Sequence, residues 1–250
     1  MKKSRAKENQ RGLSIVIPTY NEAGNIGPLI LEIERVFQDY GINGEIIVVD
    51  DNSPDGTASI VKKYMEKFDN ILILERNEKR GLGYAYKAGF ELVSGRVVME
   101  MDADFSHAPS NIPSIFQKCS DLSDVVIGSR YVRGGKIIGW GFARRLVSFV
   151  ANMLVNILLR LGVRDNTSGF RAYRREALET ILPYVKCNSY DFQVEMIQRA
   201  KEHGFTVNET PIVFRERVHG KSKLGRGELS SFIRMLLNET ILKNSEIEDD

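Results

Sequence analysis

The residue types and spacing best suited to chemistry are Asp102 and Asp104, separated by Ala103. Two carboxylates one residue apart at the end of a strand can converge on one hard cation. Mg²⁺ or Mn²⁺ takes a few carboxylate oxygens and completes its shell with phosphate oxygens and water. Such an ion neutralises a diphosphate as it becomes a leaving group. An isolated Asp-x-Asp reads equally well as a capped turn. Here two further acidic segments, Glu22 in Pro18-Thr19-Tyr20-Asn21-Glu22 and the pair Asp50-Asp51, follow apolar runs in the same way. That repetition favours the metal reading.

The other candidates each carry a plainer alternative. Asp51 could accept hydrogen bonds from a base or ribose, whereas Asp50 reads equally as a ligand or as a buried structural carboxylate. Asp55 is expected to cap the helix that begins near Thr57, and Asn21 to cap the helix after it. Tyr20 offers a stacking face and Glu22 an acceptor. Basic residues gather late, at Arg130, Arg133, Lys136, Arg144 and Arg145, then at Arg215, Arg217, Lys221, Lys223 and Arg226. Such runs are usually a solvated face. A phosphate-rich ligand needs Arg forks and Lys charges, and phosphate recognition is expected of Arg130, Arg217 and Lys223. His107 and His219 could touch metal or phosphate, and neither is assigned a catalytic part.

These residues have to be positioned by strand ends. Leu13 to Ile17, Glu45 to Val49, Ile71 to Leu74 and Arg96 to Met101 are short apolar runs that read as buried strands. Between them, Glu22 to Tyr40, Thr57 to Phe68 and Gly81 to Leu92 read as helices. Continuous apolar strands alternating with helices predict an α/β fold with a mostly parallel sheet. Ligands in such sheets sit beyond the carboxyl ends of the strands, where the acidic segments fall. A fifth strand is expected at Asp124 to Gly128 and another within Thr206 to Phe214. An amphipathic helix is expected at Arg144 to Leu161, a basic loop at Arg215 to Arg226, and a last amphipathic helix at Glu228 to Leu242.

Composition limits the classes. A chain of 250 residues with 42% hydrophobic and 27% charged residues can bury one sizeable core. A net charge of +2 gives no reason to expect nucleic acid as a partner. The two cysteines, Cys119 and Cys187, lie in no metal or redox motif. No dinucleotide-binding GxGxxG follows the first strand, and no GxxxxGK[ST] occurs. The basic N-terminus is not a secretory signal. The longest uncharged apolar stretch, Leu146 to Leu159, is shorter than the roughly 18 to 20 residues that span a bilayer. No transmembrane helix is expected, although this helix or the last one could lie on a membrane interface. Packing against the domain is the expected explanation for most of their apolar side chains. Arg144 and Arg145 oppose the dipole at their helix start, which suggests an anion there.

In combination, PTYNE, VVDDNSPDGT, Lys79-Arg80-Gly81-Leu82-Gly83, MDADFSHAP, IGSRYVRGG and RVHGKSKLG resemble the dolichol-phosphate mannosyltransferases, family-2 glycosyltransferases of GT-A fold. The resemblance covers about residues 12 to 237, with the motifs in family order. It implies an inverting transfer of mannose from GDP-mannose to dolichyl or another polyprenyl phosphate. Pro18, Tyr20, Glu22, Val49 and Asp51 would line the nucleotide site. Asp102, Ala103 and Asp104 would serve metal and diphosphate. Ser106 stands where some relatives have Gln and is a further candidate metal ligand. Arg130, Arg217 and Lys223 would bind donor diphosphate or acceptor phosphate, with Asp104, Arg217 and Lys223 carrying catalysis. Arg144 and Ser148 would face the acceptor phosphate. The resemblance divides the chain into a basic N-terminus (1–11), a catalytic domain (12–227) and a C-terminal amphipathic helix with an acidic tail (228–250). It implies a peripheral enzyme on the cytosolic face of a membrane, the endoplasmic reticulum or the plasma membrane, with small membrane subunits as possible partners. A related enzyme with a donor such as UDP-glucose, or a non-catalytic nucleotide-sugar-binding subunit, are the alternatives.

Overall fold

The computed structural model describes residues 12–189 and 191–217. The expected N-terminal arm, the helix at 228–242, and Lys221, Lys223, Arg226 and His219 lie outside the described residues. Four apolar runs form parallel strands: Leu13–Thr19 (β1), Gly44–Asp50 (β2), Ile71–Glu75 (β3) and Val97–Glu100 (β4). Ile15 stands opposite Ile46 on one side and Met99 on the other. Between them run the helices Ile26–Tyr40 (α1), Thr57–Met65 (α2) and Leu82–Phe90 (α3). Ile112–Asp121 (α4), Val125–Ser129 (β5), Lys136–Ile138 (β6) and Phe142–Leu159 (α5) follow. Arg171–Arg174 (β7), Arg175–Ile181 (α6), Phe192–Glu202 (α7), Val207–Pro211 (β8) and Val213–Arg215 (β9) complete the described fold.

The main sheet has the order β3-β2-β1-β4-β7-β5-β8. β7 is antiparallel to both of its neighbours, and the other pairings are parallel. The expectation of a mostly parallel sheet flanked by helices therefore holds, with one reversed strand. Each apolar strand divides its side chains between two layers. Ile15, Ile46, Val48 and Met99 pack beneath α1 and α4, while Val16, Ile47, Val49 and Val98 pack with Tyr86, Phe90, Phe192 and Met196 on the other face. Strands buried on both faces need no polar alternation.

Three boundaries differ from the sequence expectation. α1 begins at Ile26, because the N–H groups of Asn25 and Ile26 both donate to Glu22 O in a preceding turn. Asn21 is therefore not its cap. Asn21 adopts a left-handed φ of 58° and donates its N–H to Ser53 Oγ at 3.0 Å. The single strand expected within Thr206 to Phe214 breaks at Ile212. β8 stays in the main sheet, and β9 leaves it to pair with β6. α5 begins at Phe142 and is mostly solvent-facing. Only Asn152, Val155 and Leu159 are buried, while Phe142, Val147 and Ile157 are 80%, 66% and 61% exposed. Packing against the described residues thus accounts for Val155 and Leu159 but not for most of its apolar side chains. At 18 residues α5 also reaches the length and composition that could cross a membrane, which the shorter uncharged stretch in the sequence does not.

Candidate active site

β1, β2 and β4 lie side by side, with β2 and β4 on opposite sides of β1. Successive connections diverge there, which opens a crevice beyond the strand ends. At the end of β1, Thr19 Oγ1 donates to Asp50 Oδ1 at 2.8 Å. Asp50, 1% exposed, also accepts from the Ser53 N–H and hydroxyl at 2.8 and 2.6 Å. Asp50 is thereby the structural carboxylate of the pair. Asp51 pairs with Arg76 at 3.2 Å. Asp55 accepts from the Thr57 N–H and hydroxyl at 3.1 and 2.6 Å in the turn before α2, whose N-cap is Gly56, so it is the turn residue rather than the cap. It also accepts from the Ala23 N–H, at 3.0 Å, and so ties the two loops together.

Pro18 and Tyr20 are partly exposed, and Lys79 Nζ sits 4.7 Å from the centre of the Tyr20 ring. Glu22 is largely buried and accepts from Asn25 Nδ2 at 2.8 Å. Val49 is fully buried in the core, so its side chain does not line the crevice as expected. Only its backbone could meet a ligand, because the pleat turns the side chain toward α3.

The acidic triplet follows β4 directly. Asp104 is 7% exposed, accepts the Ser106 N–H at 3.0 Å, and pairs with Arg217 at 3.4 Å. The Asp102 side chain is 35% accessible and lies 3.7 Å from His107 Nδ1. Its surroundings otherwise shield it from water. That shielding, then the charge of Asp104, pushes the Asp102 carboxyl up to about 8, with Glu100 and Glu22 adding and Arg217 opposing. Partial burial and the neighbouring Asp104 charge both disfavour ionised Asp102, and a cation would offset them. Burial pushes His107 down to about 4, so it is neutral at physiological pH, stacked on Phe170 at 5.0 Å. Phe105 adopts a left-handed φ of 60° between Asp104 and Ser106. The Ser106 hydroxyl oxygen is buried and has no hydrogen-bond partner among the described residues.

These features fit a divalent cation. Asp102 and Asp104 supply converging hard oxygens, and Ser106 a further unspent one. No cluster of three His, Cys, Asp or Glu side chains suited to a metal occurs among the described residues. The remaining positions would be left to ligand oxygens and water, which is how Mg²⁺ and related ions are commonly held.

The basic residues divide into two kinds. β9 runs beside the triplet, with Arg215 N–H donating to Ser106 O at 3.1 Å, and it delivers Arg217 to Asp104. Arg144, in the first turn of α5, pairs with Glu216 at 3.0 Å and lies 4.2 Å from the centre of the Trp140 ring. The anion expected near that helix start is present as Glu216. Ser148, one turn on, accepts from the Tyr131 hydroxyl at 2.8 Å. Arg130 differs from the expectation. Its Nε and Nη2 donate to Asp165 at 2.7 and 2.6 Å, and Nη2 also to Thr167 at 2.8 Å. With the guanidinium almost fully buried against a fully buried carboxylate, only its Nη1 edge could be offered to a phosphate. Its charge is met there by the Asp165 carboxylate.

Sequence reasoning missed the segment that answers Arg130. Asp165, Asn166 and Ser168 are buried, and a Cβ added to Gly169 would lie 3.4 Å from both Asp102 carboxylate oxygens. Arg171, fully buried, donates to Ser168 O and Asn166 O at 2.6 and 2.7 Å and to Gln193 O. The signal was the uncharacteristically polar run Asp-Asn-Thr-Ser-Gly between Val163 and Phe170.

Residues 14–182 match the family described as "Glycosyl transferase family 2". The chain is 40% identical over 223 residues to polyprenol monophosphomannose synthase of Mycolicibacterium smegmatis, covering 87% of this chain and 82% of that protein. It is 39% identical over 216 residues to undecaprenyl-phosphate mannosyltransferase of Micrococcus luteus, covering 85% and 87% respectively. Among solved structures, glucosyl-3-phosphoglycerate synthase from Mycobacterium tuberculosis, in complex with Mn²⁺, UDP-glucose and phosphoglyceric acid, superposes with a TM-score of 0.68. That match is 21% identical and covers 93% of this chain and 79% of the other. The likeness concerns the fold, which is GT-A.

Proposed function

The chain belongs to glycosyl transferase family 2, and on that premise we propose that it transfers mannose from GDP-mannose to a polyprenyl phosphate with inversion at the anomeric carbon. The observation that carries this reading is the pair Asp102, half-buried, and Asp104, buried, beside Arg217. It offers a cation site and a guanidinium where a donor diphosphate would leave. The two curated mannosyltransferases supply the class of sugar and lipid.

A divalent cation at Asp102 and Asp104, with Ser106 as a further candidate ligand, would supply charge neutralisation for the departing diphosphate. Arg217 adds a positive charge at the same place, and Lys223 is proposed as a further phosphate-binding charge. Pro18, Tyr20, Glu22 and Asp51 border the nucleotide, and Arg144 and Ser148 receive the acceptor phosphate. That phosphate is a monoester with a second pKa of about 6, so it is largely dianionic at neutral pH. One of its oxygens attacks the anomeric carbon on the face opposite the diphosphate, and the C–O bond to the nucleotide breaks. No side chain has to remove a proton. Catalysis is positioning and charge stabilisation.

The acceptor is a lipid, and α5 is suited to meeting it. Its exposed Phe142, Leu146, Val147, Phe149 and Ile157 stand beside Arg144 and Arg145, a pattern that lies in a membrane interface. The enzyme is proposed to work on the cytosolic face of a membrane, with small membrane subunits as candidate partners. A donor panel decides the sugar. GDP-mannose, UDP-glucose and GDP-glucose are each incubated with Mg²⁺ or Mn²⁺ and a polyprenyl phosphate, and lipid products are weighed by mass spectrometry. The expected product is the mannosyl lipid from GDP-mannose. A hexosyl lipid from UDP-glucose alone would replace the donor assignment, and metal-dependent GDP binding with no product would indicate a binding subunit.

A further inference from the structure

α5 meets the rest of the protein along a polar line. Arg144, Ser148, Asn152 and Asn156 recur every fourth residue, a spacing that puts them along one helix face. Each makes a contact off the helix or to the loop that follows it: Arg144 with Glu216, Ser148 with Tyr131, and Asn156 with Val163 O. Asn152 is the buried centre of this line, 3% exposed, and it lies beside the buried Val155 and Leu159 on a helix otherwise mostly exposed. Its Oδ1 accepts the Asn166 N–H at 2.7 Å, and its Nδ2 lies 3.2 Å from Thr167 Oγ1 and 2.9 Å from Ser148 O. The loop it grips is fixed from the other side by Arg130 at Asp165 and Thr167, and by Arg171 at Asn166 and Ser168. The same loop ends at Gly169, against the Asp102 carboxylate.

A core asparagine usually costs stability unless its hydrogen bonds are met, and a leucine would suit an apolar helix better. This one is met on both ends of its amide, by two successive residues of the loop that walls Asp102. We propose that Asn152 is a positioning residue that latches α5 to the 165–169 loop and so fixes the acceptor side of the site relative to Asp102. The proposal rests on the acceptor phosphate being received along α5. The Asn152–Thr167 contact sets how the two substrates face each other, and it touches neither of them. Small displacements of reacting groups cost rate far more than they cost affinity.

The test is a double-substitution cycle on the full chain with GDP-mannose, divalent metal and a polyprenyl phosphate. Asn152→Ala and Thr167→Val are each expected to lower kcat by about tenfold, with the KM for GDP-mannose unchanged within about twofold and a cooperative thermal transition retained. The double variant should lose clearly less than the product of the two single losses, because both substitutions remove the Asn152–Thr167 contact. Multiplying losses in the double variant, equal losses in kcat and donor affinity, or wild-type turnover in both singles would overturn the latch. Failure of the underlying reading is distinguishable, because the unaltered protein would then form no mannosyl lipid at all.

Discussion

Arg217 reaches Asp104 from a strand that has left the main sheet, and its side chain is only 23% exposed. In the proposed reaction, a guanidinium held against Asp104 would stabilise charge on the departing diphosphate. Arg217→Ala is expected to lower kcat by about 10²–10³-fold, the usual cost of removing one preorganised donor. Arg217→Lys should recover part of that loss, since it keeps the charge and loses the fork. Steady-state rates of lipid product formation measure this, and turnover within twofold of the unaltered chain would remove Arg217 from the site. At this scale the sequence was readable where residue type and spacing were local. Asp102 and Asp104 are one residue apart, and their carboxylates share one environment. Arg130 was not readable, because its partner Asp165 lies 35 positions away and no local pattern joins them.

The loop of residues 165–169 and the helix α5 act as elements. Asp165 is fully buried and takes the backbone N–H of Arg130 at 2.8 Å as well as its side chain. Asp165→Ala would strand a buried guanidinium and is expected to cost about 3–5 kcal/mol. Urea denaturation would show this as a lower midpoint, and adding Arg130→Met should restore much of the loss. An unchanged midpoint in Asp165→Ala would show the pair to be marginal. α5 makes the opposite case. Phe149→Asp and Ile157→Asp lie on its open face, so each should alter stability by no more than about 0.5 kcal/mol. Together they should abolish co-sedimentation with phospholipid vesicles, and retained binding would contradict a membrane-facing α5. The helix itself was evident from its apolar composition. Its exposure was not, because composition cannot distinguish a buried face from a lipid-facing one. β7 was missed for a related reason. Its four residues, Arg-Ala-Tyr-Arg, carry no apolar run, and they form a strand because β4 and β5 both offer them an edge.

The whole molecule gathers a shared electrostatic problem at one end of its sheet. Burial and the charges of Asp104, Glu100 and Glu22, brought together at the ends of β1 and β4, raise the cost of ionising Asp102. Under the proposed function a cation and a diphosphate would offset that cost, and the loops after β1 and β2 are held in place by Asp50 and Asp55. The convergence of three strand ends was legible from the order of apolar runs and acidic residues. The reversal of β7, the departure of β9 and the loop beside Asp102 depend on contacts between distant segments. The most direct measurement is mass-spectrometric detection of polyprenyl phosphate mannose from GDP-mannose, with and without Mg²⁺ or Mn²⁺, for the unaltered chain and for Asp102→Asn. The account predicts a mannosyl lipid that requires the metal and falls by at least about 10²-fold in Asp102→Asn. Product formed equally well after chelation, or by Asp102→Asn at the unaltered rate, would contradict it.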